Sequence, residues 1–81
     1  MPRVLQVGAY RFFFYSLDGV EPPHIHVRAG GKEAKFWLNP IRLAFNYGFN
    51  GRELNRIERI VADNEELFLE RWHEYFDDQE N

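Results

Sequence analysis

Cysteine is absent from this 81-residue chain. That rules out a disulfide framework, a thiolate nucleophile and any cysteine-based zinc knuckle. Long apolar runs are missing as well. No stretch approaches the roughly 18 residues needed to span a bilayer, and the N-terminus has no signal-peptide h-region. The expectation is a soluble, cytoplasmic protein with no membrane role. Length is also scarce, so one domain covering residues 1–81 is the ceiling; a chain this short buries only about 60% of its unfolded surface. What it has in abundance is rings: eight Phe, four Tyr and two Trp. Each can bury roughly 150–250 Å², enough to stand in for covalent staples.

A large excess of one charge is lacking too. The formal net charge of −3 argues against a protein that coats nucleic acid over its whole surface. The distribution is uneven, however. Residues 1–52 carry seven basic side chains against three acidic ones, a local balance of +4, and residues 53–81 carry three against ten, a balance of −7. The two halves either attract one another or present a basic face and an acidic face to different partners.

The first half reads as strands. Ala9 to Leu17 is rich in aromatics and suits a pleated surface. Asp18-Gly19 and Pro22-Pro23 interrupt it, because proline removes ladder donors and restricts the residue before it. His24 to Ala29 then alternates, Gly30-Gly31 supplies a hairpin signal, and Lys32 to Leu38 follows until Asn39-Pro40 ends the run. Residues 41–49 fit either a fourth short strand, from the alternation of Ile41, Leu43 and Phe45, or an irregular connector.

The second half reads as helix. Asn50 is a suitable N-cap, with Glu53 three residues on as its capping-box acid. Leu54, Ile57, Val61, Phe68, Trp72 and Tyr75 recur at three, four or seven residues, and Ile60, Leu67, Leu69 and Phe76 widen that apolar arc to roughly 200°. One small sheet should not cover so wide an arc. Either the helix breaks near Ala62-Asp63-Asn64, or the surplus meets another chain. An unbroken helix over 52–76 would run about 37 Å, longer than such a globule is expected to be wide, which favours a kink or break. The fold class is therefore α+β: a small antiparallel sheet of three to four strands followed by one kinked helix or two short ones.

His24 and His26 are the sharpest chemical feature. On a strand, residues i and i+2 share a face, which sets the imidazoles about 6–7 Å apart. Such a pair can chelate a metal only with further ligands; Glu21, Glu58, Glu65 and His73 are the candidates, and none completes a ligand set from sequence alone. The same pair beside Arg28, Lys32 and Lys35 would suit metal-independent phosphodiester chemistry, with the histidines as acid and base and the cations holding phosphate. The plainer account is one packed imidazole bonded to a backbone carbonyl and one facing water. No cofactor is implied.

Phe12, Phe13 and Phe14 are consecutive and so occupy both faces of a strand, which favours core packing over base stacking and gives RNA only weak support as a partner. Trp72 lies mid-stripe and reads as core. Trp37 projects opposite Phe36 and Leu38, so either the sheet is covered on both faces or Trp37 is an exposed interface anchor.

The run Glu21-Pro22-Pro23-His24-Ile25-His26-Val27, with Glu33-Ala34-Lys35-Phe36-Trp37-Leu38, Asn46-Tyr47-Gly48-Phe49, Glu53-Leu54, Ile57, Ile60-Val61 and Trp72-His73-Glu74-Tyr75-Phe76, resembles a family of small bacterial proteins. It is catalogued as domain of unknown function 4160. The resemblance covers nearly the whole chain, and Pro-His-Ile-His-Val is its most specific element. Asn39 stands where the family has Asp before proline, and His73 where Asn is usual. No established activity comes with the resemblance. It implies a partner: members are typically encoded beside a small protein of the family called domain of unknown function 2442, in pairs that look like toxin–antitoxin modules. This family is usually suggested as the toxin-like member.

The leading expectation is thus a small α+β protein that binds a cognate protein in a toxin–antitoxin-like pair. The rivals are a nuclease-like enzyme using His24 and His26, and a small metal-binding module; a homo-oligomer is also compatible with the surplus apolar surface.

Overall fold

Two glycines with left-handed backbone set two of the tight turns of the sheet, Gly8 (φ 58°) and Gly30 (φ 62°). In the computed structural model, which describes residues 3–77, five strands follow one another: β1 (Arg3–Val7), β2 (Tyr10–Phe13), β3 (His24–Ala29), β4 (Lys32–Trp37) and β5 (Arg42–Tyr47). Each pairs antiparallel with the next, in the order β1-β2-β3-β4-β5. Two helices complete the chain, α1 (Gly51–Asp63) and α2 (Glu65–Asp77).

The α+β class and the antiparallel sheet are as expected; the strand number is not. The run read as one strand from Ala9 to Leu17 stops at Phe13. There the Tyr15 N–H donates to Asp18 Oδ2 (2.8 Å) and the Asp18 N–H to the Tyr15 carbonyl (3.1 Å), turning the chain out of the sheet into a 3-10 turn at Asp18–Val20. Upstream, the hairpin at Gly8-Ala9 adds β1. Residues 42–47 are a strand, so five replace the expected three to four.

Strand alternation divides the sheet into two faces. Phe12, Ile25, Val27, Ala29, Ala34 and Phe36 point toward the helices and pack with Ile57 and Val61 of α1 and Phe68, Trp72 and Phe76 of α2. Each of the Phe, Ile and Val side chains among them contributes about 1.5–3 kcal/mol by leaving water. The opposite face carries Phe13, His24, His26, Arg28, Glu33, Lys35 and Trp37, by the register Phe13↔His26↔Lys35 and His24↔Trp37. Segment 14–23 folds back over part of this second face, which is why Phe13 and both histidines are buried. Gly19 in that segment meets α2 so closely that a Cβ there would sit 2.7 Å from Phe76 Cδ1.

The capping box forms: Asn50 Oδ1 accepts from the Glu53 N–H (2.8 Å), and Glu53 Oε1 accepts from the Asn50 N–H (3.2 Å). The expected break falls at Asn64 (φ −119°), whose side-chain amide donates to the Ile60 carbonyl at 2.8 Å. The Phe68 N–H still bonds the Asn64 carbonyl (2.9 Å), so α2 continues α1 after a kink. The molecule measures 41 × 23 × 21 Å, and its long dimension accommodates the kinked pair without a hairpin. Of the residues that widen the apolar arc, Phe76 is buried in the core and Ile60 and Leu69 are partly buried against it, as are Leu54 and Tyr75 of the main stripe. Among the described residues no helix is long and apolar enough to cross a membrane.

Candidate functional site

Segment 14–23 and the second face of the sheet enclose a cluster of ionisable side chains at the start of β3. His24 is fully buried and His26 is 8% exposed. The ring of His24 lies against Trp37 (5.5 Å between centroids), Trp72 (5.0 Å) and His26 (5.1 Å). The ring of His26 stacks on Phe13 at 5.4 Å and meets the edge of Tyr15 at 4.5 Å. Aromatic walls on nearly every side leave little water and a low local dielectric. Burial accordingly pushes the His26 pKa below the ordinary histidine value, against the opposing pull of Asp18.

Asp18 joins the two rings. A single carboxylate oxygen, Oδ2, lies 3.1 Å from Nε2 of His24 and 3.1 Å from Nε2 of His26. The other ring nitrogens face outward. The Nδ1–H of His24 donates to the Pro22 carbonyl at 2.9 Å, with Glu21 Oε1 at 3.6 Å, and Nδ1 of His26 faces Glu33 Oε2 at 3.5 Å. Distance alone would make hydrogen bonds of the Asp18 contacts, but the angles do not. Among the described residues, His24 Nε2, His26 Nε2 and His26 Nδ1 are buried without a partner of acceptable geometry.

A ring of ion pairs surrounds the cluster. Glu33 binds Arg28 (2.8 Å) and the Tyr15 hydroxyl (3.0 Å), and Glu21 binds Lys35 (2.9 Å). Glu33 holds the Arg28 guanidinium even more firmly protonated, and Lys35 lowers the Glu21 pKa. Burial, with the Glu33 carboxylate close behind, raises the pKa of Tyr15.

The residues expected to act together are only partly brought together. His24 and His26 share a face, with Arg28 and Lys35 on the same side. Lys32 lies on the helix side instead, paired with Glu53 of α1 (2.7 Å) and over the Phe49 ring. It has the strand parity of Ala34 and Phe36, and that parity was readable in the sequence. Trp37 is half-buried rather than exposed, its ring capped by the Lys35 ammonium at 4.6 Å. Both expected alternatives are realised in part: segment 14–23 covers this face, and the covering stops at Trp37.

Among the proposed third ligands, Glu21 stands behind His24 rather than between the rings. Glu65 accepts from the Asn39 N–H (3.0 Å), Glu58 is exposed on α1, and His73 is exposed and bonded to Asp77 (3.0 Å). The residue that completes the cluster is Asp18, which sequence reasoning treated only as a turn former. Among the described residues, Asp18, His24 and His26 form the one group of His, Asp or Glu side chains whose donor atoms converge closely enough to take a metal ion.

No curated protein and no solved structure matches the chain. A family does: the one described as Domain of unknown function (DUF4160) matches residues 9–73, from the turn before β2 to most of the way along α2. The matched span takes in every residue of the Asp18–His24–His26 cluster, and the chain belongs to that family.

Proposed function

We propose that the protein works by binding a protein partner, as the toxin-like or partner-binding member of a two-gene module, and that the partner is a small protein of the family called domain of unknown function 2442. The observation that carries this reading is β5. All six of its residues are exposed, including Leu43 (46%), Phe45 (49%) and Tyr47 (67%). Among the described residues it is an edge strand paired only to β4, and its outer row of backbone N–H and C=O groups has no strand partner there. Folded proteins normally shield such an edge with charge, proline or a covering loop. Here only Arg42 brings charge, and three large apolar side chains flank the open ladder. A partner strand added along β5 would satisfy the ladder and could cover Phe45 and Tyr47 on the face of Lys35 and Glu33 and Leu43 on the face of Phe36, the common mode of strand augmentation. Trp37, opposite Arg42 in the β4–β5 register, borders this surface and would form its inner margin.

The charge pattern supports the same reading. Of the attraction expected between the basic and acidic halves, one ion pair, Lys32–Glu53, joins them among the described residues. Within the basic half, Arg28 and Lys35 pair with Glu33 and Glu21 instead, so the acidic residues of the helices are largely not neutralised by the sheet.

The test is co-expression with the neighbouring gene product, followed by size-exclusion chromatography. Co-elution is expected, and Phe45→Glu together with Tyr47→Glu should abolish it. Separate elution of the wild-type proteins at micromolar concentration would sink the proposal. The nuclease-like alternative has less support, since both imidazoles are buried and Arg28 and Lys35 are each engaged by a carboxylate. Growth arrest that His24→Ala or His26→Ala abolishes without unfolding the protein would restore it.

A further inference from the structure

We infer that Asp18, His24 and His26 bind a divalent first-row transition-metal ion. The two rings present four nitrogens, each facing an oxygen that can only accept: the Pro22 carbonyl at His24 Nδ1, Glu33 at His26 Nδ1, and Asp18 Oδ2 at both Nε2 atoms. In the neutral form that a metal requires of its histidine ligands, two imidazoles carry two N–H groups between them. The contact of His24 with Pro22 fixes one proton on Nδ1, so the Nε2 of His24 directs a lone pair at a carboxylate oxygen 3.1 Å away. With His26 protonated on Nδ1 toward Glu33, its Nε2 does the same. Lone pair against lone pair in a dry pocket is repulsive, and a positive charge between the three atoms removes the conflict.

A metal ion fits that place. At metal–ligand distances of about 2.1 Å, two donors 3.1 Å apart subtend an angle of about 95° at the ion, between octahedral and tetrahedral values. Both Nε2 atoms are buried and unpartnered, as atoms awaiting a ligand would be. The outward Nδ1 of His24 already has the kind of partner that metal-bound histidines use to fix their tautomer, a backbone carbonyl, and the Glu33 carboxylate stands 3.5 Å from Nδ1 of His26. Two imidazoles and one carboxylate select a borderline ion such as Zn²⁺, Fe²⁺ or Co²⁺ over the oxygen-seeking Mg²⁺ and Ca²⁺. The Asp18 side chain is 12% exposed, which leaves an opening through which water can complete the coordination shell.

This inference stands apart from partner docking along β5. Protein made without a histidine tag would be stripped with chelator and titrated with Zn²⁺ by calorimetry, with Co²⁺ as a spectroscopic probe. One equivalent of Zn²⁺ per chain, a rise in Tm on binding and a visible Co²⁺ d–d band are expected. Asp18→Asn, which keeps the side-chain volume, should weaken Zn²⁺ binding at least tenfold while the metal-free variant keeps the wild-type circular dichroism. Folded wild-type protein that shows no saturable Zn²⁺ binding and no Co²⁺ band would overturn the inference. So would an Asp18→Asn variant that binds Zn²⁺ as tightly as wild type.

Discussion

Replacing Gly19 with alanine tests whether segment 14–23 is held in place by α2. The added Cβ would sit 2.7 Å from Phe76 Cδ1, inside the closest approach that carbon atoms tolerate, and 3.3 Å from Cγ and Cε1, which is tight. The clash would be cheap if Phe76 could swing aside, but its ring is hemmed in by Trp72 (4.2 Å between centroids), Tyr75 (4.8 Å) and Phe14 (5.7 Å). Either the ring or the 3-10 turn must therefore move, and overpacking of this kind costs about 1–3 kcal/mol. With a urea m-value of about 1 kcal/mol/M for so small a domain, the unfolding midpoint should fall by roughly 1–3 M. Gly31→Ala is the control. A Cβ there meets nothing within 4 Å and the backbone is not left-handed, so the change should be neutral or stabilising by up to about 1 kcal/mol. Phe76→Leu is the second arm. If the ring is the obstacle, Gly19→Ala should cost at least about 0.5 kcal/mol less in the Phe76→Leu background. An equal cost in both backgrounds, or no cost in either, would refute the reasoning.

Three further outcomes are expected. Phe68→Ala removes a fully buried ring packed on Phe12 (5.4 Å) and should destabilise by about 3–5 kcal/mol, seen as a lower denaturant midpoint with the m-value unchanged. Asn50→Ala removes the acceptor for the Glu53 N–H and should cost about 0.5–2 kcal/mol, with a loss of helical circular dichroism on mild heating. Glu53 titrates below the ordinary glutamate value of 4.5, chiefly because Lys32 bonds its carboxylate. The unfolded chain therefore takes up that proton first as pH falls, and the stabilisation present above about pH 4.5 is lost below it. The advantage of wild type over Glu53→Gln in urea midpoints should accordingly shrink between pH 5 and pH 3, whereas a constant difference would contradict the assignment.

How far the fold could be read in advance followed the range of the interactions involved. The β3–β4 hairpin was legible because Gly30-Gly31 sits between two alternating runs, and the capping box because Asn50 and Glu53 lie within one turn. A kink near residues 62–64 was legible because so long and so widely apolar a helix does not suit a small globule, and it falls at Asn64, whose side chain bonds the Ile60 carbonyl. β1 was not, since Gly8-Ala9 is a weaker turn signal than Asn-Gly or Asp-Gly and only its pairing with β2 defines the strand. Of the candidate site, the sequence showed the two imidazoles on one face and missed the carboxylate between them. Asp18 reaches the histidines only because its turn folds over a sheet face, a long-range event that no local pattern encodes. One clue was available: Phe13, His24, His26 and Trp37 share a face too apolar to be left bare, and the segment able to cover it carries an acid at Asp18.

The order of the strands along the chain is also their order across the sheet. Each new strand finds its neighbour already made, so the sheet can zip up hairpin by hairpin at little cost in loop closure, which is the topology of rapid folding. The apolar cover arrives last. During synthesis the emerging sheet would show Phe12, Ile25, Val27 and Phe36 to the surroundings until α1 and α2 leave the ribosome and dock. That interval, rather than any feature of the finished molecule, is when this chain would most depend on chaperones, and slowing translation across the helical half should lower its soluble yield.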